Sequence, residues 1–303
     1  MDTELLIKAT VKENLGLTVE GLSTAGKGAS GRVYRAACRE ENKIIALKIS
    51  DHPELMKQEY EMLSFLREKT ESKIPQVYFF AEKENMGIIA MEYINGVSGA
   101  DPSLKFSLRK KHLAESIVDN LLTLQKVKGE KFGPYNNAVY DTWQEYYREF
   151  ADEIYGFSLS KYADKALDST VMKAVELSYK SFDGIFGEKI FPPTLIHGDY
   201  WMPNFIIDKK SMELVSVVDP FNVLWADPEY ELFAMTVGFG EKLHLYDMYK
   251  SKVKVSKHCD MKLELYALYS ELLWYKKLGT IDHSYLKMRA KRLIREMKKA
   301  GII

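Results

Sequence analysis

Short runs of apolar residues, separated by glycine or charged turns, dominate the first 95 residues of the chain. Such runs are typical of β-strands. The predicted strands span 18–23, 31–38, 43–49, 76–82 and 86–93. Between the third and the fourth, apolar residues recur every three or four positions over 54–69, which predicts a helix. The predicted order in this part is therefore strand, strand, strand, helix, strand, strand.

Helical periodicity dominates the rest of the chain, and a turn-rich break separates the two parts. The break is Asn95–Gly99, because its Asn, Gly and Ser residues favour turns. Beyond it we predict helices at about 105–128, 141–155, 169–186 and 283–300, and a strand-rich island at 194–218. The pattern predicts an α+β fold with two lobes. A small β-sheet lobe with one helix spans 1–95, a larger, mainly helical lobe spans 96–303, and the hinge lies at about 92–99.

Charge balance and cysteine count narrow the function classes. The 303 residues include 43 Lys and Arg against 43 Asp and Glu, so the formal net charge is zero. Binders of nucleic acid or anionic membranes need a basic field, so we expect neither partner. Two distant cysteines indicate free thiols in a reducing compartment, and the chain lacks an apolar run of about 18 residues. We expect a cytoplasmic protein without a signal peptide, either a monomer or a homodimer.

A glycine-rich motif near the N-terminus is the first candidate for nucleotide binding. Gly26, Gly28 and Gly31 form a GxGxxGxV pattern that ends at Val33. A dinucleotide-binding fingerprint would be followed by a helix, whereas residues 32–36 favour a strand. The pattern therefore predicts a glycine-rich hairpin, the geometry that covers nucleotide phosphates in kinases. Glycine suits this place because phosphate oxygens must approach backbone N–H groups without an intervening Cβ.

Lys48 is a charged residue inside the third predicted strand, between Leu47 and Ile49. An exposed strand lysine is one interpretation. The functional interpretation is contact with the α- and β-phosphates of a nucleotide, with Glu59 of the following helix as the ion-pair partner. Glu61 is the rival partner, although it is more readily placed on the solvated face of that helix.

The most specific motif is HGDxxxxN at 197–204, and a second apolar run shortly after it ends in Asp219. Both segments deliver oxygen atoms to one place, as phosphoryl transfer requires. We predict that Asp199 is the base that orients the attacking hydroxyl and takes its proton. Asn204 and Asp219 are predicted ligands of Mg²⁺, a hard cation that prefers oxygen. His197 is expected to brace the loop through hydrogen bonds.

The strand before the turn-rich break is predicted to meet the nucleotide base. The backbone carbonyl of Glu92 and the backbone amide of Ile94 are the candidates for hydrogen bonds to adenine, on position alone. Val33, Ala46 and Met91 would supply apolar walls. Because backbone groups read the base, ATP and GTP both stay open as the phosphoryl donor.

Together these motifs resemble the aminoglycoside phosphotransferase, choline kinase and fructosamine kinase superfamily, from Gly26 to about Gly240. The resemblance implies a bilobal protein-kinase-like fold with ATP and Mg²⁺, and it agrees with the phosphate, base and metal roles given above. It also implies that Asp227 helps to brace the catalytic loop. The short interval from Asp219 to Asp227 leaves no room for a long phosphorylatable segment, so a small-molecule acceptor is favoured over a protein.

The acceptor is the most open part of the interpretation. We expect phosphorylation of a hydroxyl on an aminoglycoside-like or amino-sugar molecule. A fructosamine-3-kinase-like activity on ketoamines is the main alternative, followed by a choline- or ethanolamine-type kinase, a protein kinase and an inactive nucleotide-binding protein. The residues predicted near the acceptor combine aromatic rings with carboxylates, which suit a sugar or a cation. They are Trp201, Glu229, Tyr230 and Glu231.

Overall fold

The computed structural model describes residues 3–28 and 31–303 and divides the chain into two compact units. The first unit takes the chain up to Leu124 together with Asp199–Phe221. The second unit takes Gln125–Gly198 and Asn222–Ile303. Two residues of the glycine-rich hairpin, between Gly28 and Gly31, lie outside the described residues.

The predicted strands and helices are present in the predicted order, and additional elements precede and separate them. The helices are α1 (Thr3–Leu15), α2 (Pro53–Lys69), α3 (Lys110–Leu124), α4 (Trp143–Ala163), α5 (Ser169–Lys180), α6 (Phe182–Ile185), α7 (Gly238–Lys242), α8 (Leu245–Lys252), α9 (Cys259–Leu278) and α10 (His283–Lys299). The strands are β1 (Val19–Gly28), β2 (Gly31–Cys38), β3 (Ile44–Ser50), β4 (Val77–Lys83), β5 (Met86–Glu92), β6 (Val97–Ser98), β7 (Gly133–Pro134), β8 (Thr194–Ile196), β9 (Phe205–Asp208), β10 (Glu213–Val217) and β11 (Leu224–Ala226). Short 3₁₀ helices span Glu40–Asn42, Pro102–Phe106, Met202–Asn204 and Pro228–Thr236.

The N-terminal sheet has the strand order β1-β2-β3-β5-β4, and each neighbouring pair is antiparallel. One face carries Ile45, Leu47 and Ile49, which share an apolar core with Ile7 and Val11 of α1. Alternation along a strand sends successive side chains to opposite faces, so Ala46 and Lys48 lie on the other face. This part of the chain therefore has two helices, α1 and α2, where the predicted lobe had one. The helix α1 is needed to cover the apolar face.

Pairing extends β1 beyond its predicted end. The strand was predicted to stop at residue 23, but it continues to Gly28, which pairs with Gly31 of β2. Glycine weakens the strand signal in a sequence because it has no side chain to pack. The hairpin predicted from the glycine pattern is confirmed up to these two residues.

The turn-rich segment Asn95–Gly99 packs closely within the first unit. Its strand β6 pairs with β9, with Val97 opposite Ile207. A Cβ added to Gly99 would lie 2.2 Å from the carbonyl oxygen of Met202, so the close approach requires glycine. The first unit therefore extends past the predicted lobe boundary at residue 95, because β6 and α3 pack on the strands after the HGD motif. The hinge at 92–99 stays a prediction.

The second unit is built around α9. Most residues of α9 are buried, and α4, α10 and the 3₁₀ helix Pro228–Thr236 pack against it. The indole N–H of Trp143 in α4 donates to the hydroxyl of Tyr266 in α9 at 2.9 Å. The short strands β7, β11 and β8 form a sheet in that order, and β8 leads directly into His197.

The predicted α+β class is confirmed: an N-terminal antiparallel sheet is followed by a larger, mainly helical part. Cys38 and Cys259 are both free and buried, as the wide spacing of the two cysteines predicted. Among the residues that the structure describes, no helix is both long and apolar enough to cross a membrane.

Candidate active site

The predicted nucleotide-facing side chains share one face of the N-terminal sheet. Val33 pairs with Lys48, and Ala46 pairs with Met91. Residues directly opposite each other in a ladder project to the same side, so these side chains lie on the face opposite α1. The face therefore combines apolar surface with one ammonium group, as a site for a nucleotide base and its phosphates requires.

The two predicted base-reading residues follow along the chain. Glu92 ends β5, and its backbone N–H donates to the carbonyl of Gln76 at 2.8 Å. Its side chain accepts from the backbone N–H of Gln76 at 3.2 Å. Ile94 lies just beyond the strand and is half-buried. These contacts fix the backbone at the place where the base is predicted to bind.

Lys48 is held between two carboxylates. Its Nζ lies 2.7 Å from Oε2 of Glu59 in α2 and 2.8 Å from Oδ1 of Asp219. Lys48 is 2% exposed, and Glu61 is exposed on the other side of α2. The pairing of Lys48 with Glu59 rather than Glu61 is therefore confirmed.

The electrostatics of this cluster keep the lysine charged. Burial alone would lower the pKa of Lys48, but the carboxylates of Glu59 and Asp219 raise it above its usual value. Burial raises the pKa of Glu59, and the ammonium of Lys48 opposes that rise. The result is a buried cation whose second partner, Asp219, has a side chain that is still 45% exposed.

The HGD loop brings the other predicted groups to Asp219. The Nδ2 atom of Asn204 donates to Oδ2 of Asp199 at 2.7 Å and to the Asp199 carbonyl at 3.0 Å. It also lies 3.4 Å from the backbone carbonyl of Asp219. The 3₁₀ helix Met202–Asn204 makes this possible, since it turns the chain back before β9 starts. Asp199, Asn204, Asp219 and Lys48 therefore form one cluster in the first unit.

Asp199 titrates near neutrality. Burial raises the pKa of its carboxyl group to about 7, although a hydrogen bond from Asn204 opposes the rise. The negative charge of Asp219 adds to the rise, and a hydrogen bond from the Trp201 side chain lowers it again. A carboxylate with a pKa in this range is suited to accept a proton from a hydroxyl near neutral pH.

Asp219 has an unusual backbone conformation. Its φ is +56°, in the left-handed region that few residues other than glycine adopt. Asp is among the residue types that tolerate this region, but the conformation is still sparsely populated and tends to mark functional sites. The backbone turns here directly after β10, and the turn aims the carboxylate at Lys48.

The oxygen donors of the cluster fit a magnesium ion. Asp219 supplies a half-exposed carboxylate, and the side-chain amide of Asn204 lies next to the Asp219 backbone, with its nitrogen 3.4 Å from the Asp219 carbonyl oxygen. Within the ranges 3–28 and 31–303, no three His, Cys, Asp or Glu side chains gather as a cage made by the protein alone would require. Mg²⁺ is usually held by one or two carboxylates together with substrate phosphates, so a set of this size is appropriate.

The glycine hairpin contains two different kinds of glycine. Gly31 has a φ of +153°, and an added Cβ would lie 2.4 Å from the carbonyl oxygen of Ile49. Gly26 has open space where a Cβ would be. The fold therefore requires glycine at position 31, whereas it tolerates a side chain at position 26.

We expect Gly26→Ala to leave thermal stability unchanged. We also expect it to raise the KM for ATP by about tenfold, which corresponds to about 1.4 kcal/mol, because the new Cβ would block the approach of phosphate to the backbone. Gly31→Ala is the contrasting variant, with an expected loss of about 1–3 kcal/mol of stability from strain and overpacking. Steady-state kinetics and thermal unfolding check both. An unchanged KM in Gly26→Ala would contradict the phosphate role of the hairpin.

In the second unit, Glu231 braces the loop that leads to Asp199. Its carboxylate accepts the backbone N–H of Gly198 at 2.7 Å and that of His197 at 3.3 Å. Glu231 is 2% exposed. Glu231 thus holds the backbone of His197, whose side chain is fully buried, and bracing of the loop by His197 itself stays a prediction.

Asp227 lies in a buried charged network beside this brace. It accepts from the backbone N–H of Glu229 at 3.0 Å, from Nζ of Lys262 at 2.6 Å and from the hydroxyl of Tyr266 at 2.6 Å. Lys262 also pairs with Glu229 at 2.7 Å. Burial alone would lower the pKa of Lys262, but the two carboxylates raise it. The network fixes the start of the 3₁₀ helix that carries Glu231, and bracing of the catalytic loop by Asp227 itself stays a prediction.

Three of the four residues predicted near the acceptor have buried hydrogen-bond partners within the second unit. Glu229 is 6% exposed and receives the backbone N–H and hydroxyl of Ser256, Tyr230 shares a hydrogen bond with Ser270, and Glu231 holds the loop. Their side chains are engaged within the second unit, and their contact with the acceptor stays a prediction. Trp201 differs, because it is 40% exposed and lies next to Asp199 in the first unit.

Sequence reasoning missed Lys262 as a partner of Asp227. A signal for it exists: Lys262 and Tyr266 are four residues apart in α9, so both lie on one helix face. A lysine at the edge of a strongly apolar helix favours a buried ion pair, but the sequence alone cannot identify the distant carboxylate.

The model of the fructosamine kinase family matches residues 6–299 of the chain. Among curated proteins, the chloroplastic protein-ribulosamine 3-kinase of Arabidopsis thaliana is 24% identical over 147 residues, which cover 48% of this chain and 43% of that protein.

Solved structures match almost the whole chain. A protein of Haemophilus somnus 129PT, assigned as a fructosamine-3-kinase, has 15% identity and a TM-score of 0.72 and covers 96% of both chains. A thermostable mutant of aminoglycoside phosphotransferase APH(4)-Ia, in a ternary complex with AMP-PNP and hygromycin B, has 16% identity and a TM-score of 0.69. It covers 96% of this chain and 98% of its own. At these identities the likeness establishes the fold, which is protein-kinase-like.

Proposed function

The chain belongs to the fructosamine kinase family and is a small-molecule kinase, and we propose that it transfers the γ-phosphoryl group of ATP to a hydroxyl of an amine-bearing sugar derivative. The observation that carries the proposal is the cluster in which Asn204 joins Asp199 to Asp219 and Asp219 joins Lys48. These are the groups that phosphoryl transfer uses, and they stand in one compact unit.

Each side chain has one task in the proposed reaction. The carboxylate of Asp199 accepts the proton of the acceptor hydroxyl as its oxygen forms a bond to the γ-phosphorus. The bond from that phosphorus to the bridging oxygen breaks, and ADP leaves with the electron pair. The ammonium of Lys48, kept charged and extended by Glu59, neutralises the α- and β-phosphates.

Asn204 and Asp219 are the residues that would hold Mg²⁺. The ion, when bound, supplies charge neutralisation on the phosphates. The carboxylate of Asp219 contacts the ammonium of Lys48. It therefore lies on the side of the site where the phosphates are proposed to bind. Asn204 orients Asp199 through its amide nitrogen, which keeps the base and the metal-binding carboxylate in a fixed relation.

A ketoamine is the acceptor class that the family supports first. The family is named for fructosamine, and two similar proteins have names of that class. An aminoglycoside is the second candidate, supported by the likeness to a phosphotransferase solved with hygromycin B. Trp201 supports either one, since an exposed indole beside the proposed base offers a face on which a sugar ring or a cation stacks.

The proposal is tested by an ADP-release screen over fructosamines, aminoglycosides, choline-like amines and simple sugars, with ATP and GTP in parallel. We expect Mg²⁺-dependent ADP release with a ketoamine and a lower rate with the matching unglycated amine. Turnover on an aminoglycoside alone would replace the first acceptor class by the second. Mg²⁺-dependent phosphorylation of a protein substrate, with no turnover on any small molecule, would contradict the proposal.

The rate is expected to rise with pH through about 7. The pKa of Asp199 is raised to about 7, so about a tenth of the base is ionised at pH 6 and about nine tenths at pH 8. Because kcat/KM for the acceptor reports the free enzyme, its acidic limb should have its midpoint near this value. A limb centred near the ordinary Asp pKa of about 4 would contradict the role of Asp199.

A further inference from the structure

Asn120 is a polar residue in the buried face of α3, among Leu113, Ile117, Leu121 and Leu124. Asn is a weak helix former, and burial of an amide without partners costs about 1–3 kcal/mol. Here the side chain is 6% exposed, and both ends of the amide have partners outside α3. Asn120 is therefore unfavourable for the stability of α3, but its amide oxygen and nitrogen both bond to other segments. This indicates a role beyond the helix.

The amide nitrogen of Asn120 holds the segment that carries the proposed base. Its Nδ2 atom donates to the hydroxyl of Tyr200 at 3.0 Å, and that hydroxyl donates to the carbonyl of Ile117 at 2.8 Å. Tyr200 is 1% exposed and packs edge-on against Phe205, with ring centroids 4.7 Å apart. Since Tyr200 directly follows Asp199, a fixed tyrosine ring fixes the backbone from which the Asp199 carboxylate projects.

The amide oxygen of Asn120 holds the segment that leads to the proposed metal ligand. It accepts the backbone N–H of Lys73 at 2.8 Å. The carbonyl of Lys73 accepts the backbone N–H of Val217 at 2.7 Å and the hydroxyl of Ser216 at 3.2 Å. These two residues end β10, and Asp219 follows two positions after the strand.

From this geometry we propose that Asn120 is a positioning residue that sets the separation of Asp199 and Asp219. The proposal rests on the functions proposed for these two carboxylates. The bridge runs from Tyr200 through Asn120 and Lys73 to β10, and every link lies in the first unit. A shift of about 1 Å at a catalytic group lowers rates by about 100-fold, so loosening the bridge lowers kcat.

Asn120→Leu is the variant that breaks the bridge while keeping a side chain of the same branched shape. Asn120 also lines a surface cavity of about 380 Å³, so an alanine there would admit water in place of the amide, whereas leucine excludes it. Thr123→Val is the matched control on the same helix, because among the described residues the Thr123 hydroxyl bonds to the carbonyl of Asp119, which is also in α3. Tyr200→Phe removes the hydroxyl at the other end of the first link.

We expect Asn120→Leu to lower kcat by about 10- to 100-fold with the KM for ATP unchanged. We expect the double variant Asn120→Leu/Tyr200→Phe to be no slower than the slower single variant, because both remove one link. Thr123→Val should keep the wild-type kcat. A change in the KM for ATP with kcat unchanged would overturn the positioning role. Effects of the two substitutions on kcat that add up in the double variant would also overturn it.

Backbone hydrogen exchange tests the bridge without any activity. In Asn120→Leu, exchange should become faster both around residues 199–205 and around 214–218, while Thr123→Val leaves both segments unchanged. Faster exchange confined to α3 would overturn the bridge even if kcat falls. If the wild-type protein phosphorylates no acceptor but the two segments still respond together, the proposed function fails and the bridge stands.

Discussion

Replacing Asp199 by Asn is expected to lower kcat by about 10²- to 10⁴-fold, the range that a general base contributes. The substitution keeps the shape and one oxygen, so Asn204 keeps an acceptor, but the side chain no longer takes a proton. Mg²⁺-dependent ATP binding should stay close to that of the wild type. Initial rates of ADP release and calorimetric titration of ATP measure the two quantities separately.

Asp51→Asn is the control for this experiment. Asp51 is an exposed carboxylate of the first unit, and its Oδ1 lies 3.7 Å from Nε2 of His52. The Asp51→Asn substitution removes one negative charge, as Asp199→Asn does, but outside the cluster. We therefore expect wild-type rates from the Asp51→Asn variant. Near-wild-type turnover in Asp199→Asn with the true acceptor would show that another group takes the proton.

Lys48→Met is expected to abolish productive use of ATP and to destabilise the fold by about 3–5 kcal/mol. Both effects have one cause, because Lys48 is the cation between Glu59 and Asp219. Without it, the buried Glu59 carboxylate has lost its ion-pair partner. Chemical denaturation measures the stability loss, and kcat/KM for ATP measures the functional loss.

The double variant Lys48→Met/Glu59→Leu separates the two effects. Replacing a whole buried ion pair by apolar residues is often neutral for stability, so most of the lost stability should return. Activity should stay absent, since no ammonium group is left to contact the phosphates. A double variant that regains turnover would contradict the phosphate role of Lys48, whereas one that stays unstable would show that the cost has another origin.

Local motifs allowed much of the first unit to be predicted. Side chains that alternate along a strand and recur along a helix reveal their faces, which is why β3 and α2 and the pairing of Lys48 with Glu59 were predictable. The HGDxxxxN spacing likewise predicted that Asp199 and Asn204 come together. In each case the determining contacts lie within a few residues, or between neighbouring elements.

Contacts between distant parts of the chain could not be predicted in the same way. Glu229 and Glu231 were predicted near the acceptor because carboxylates suit an amine-bearing sugar, and that contact stays a prediction, but their partners within the protein were not foreseen. Their partners Ser256, Lys262 and Gly198 lie about 30 residues away, and only the packing of α9 brings Lys262 to Glu229. The same holds for Asn120, whose partners lie in two other segments of the first unit.

Glycine-rich segments were the second source of error. The strand signal fades where glycine replaces side chains that pack, so the end of β1 was placed five residues before Gly28. The segment Asn95–Gly99 was interpreted as a hinge, which stays a prediction, and its glycines also allow close approach to Met202 and Ile206. In both places glycine allows two backbone segments to approach each other closely. In a sequence pattern the same glycine is visible only as a break between elements.

Mass spectrometry of the acceptor tests the central claim most directly. Three proteins are compared: the wild type, the Asp199→Asn variant and the Asp51→Asn variant. Each is incubated with ATP, Mg²⁺ and a fructosamine, and the mass of the fructosamine is then measured. We predict that one phosphoryl group is added by the wild type and by Asp51→Asn, and that the product is absent or strongly reduced with Asp199→Asn. Equal product from all three proteins would show that the cluster around Asp199 does not carry out the transfer.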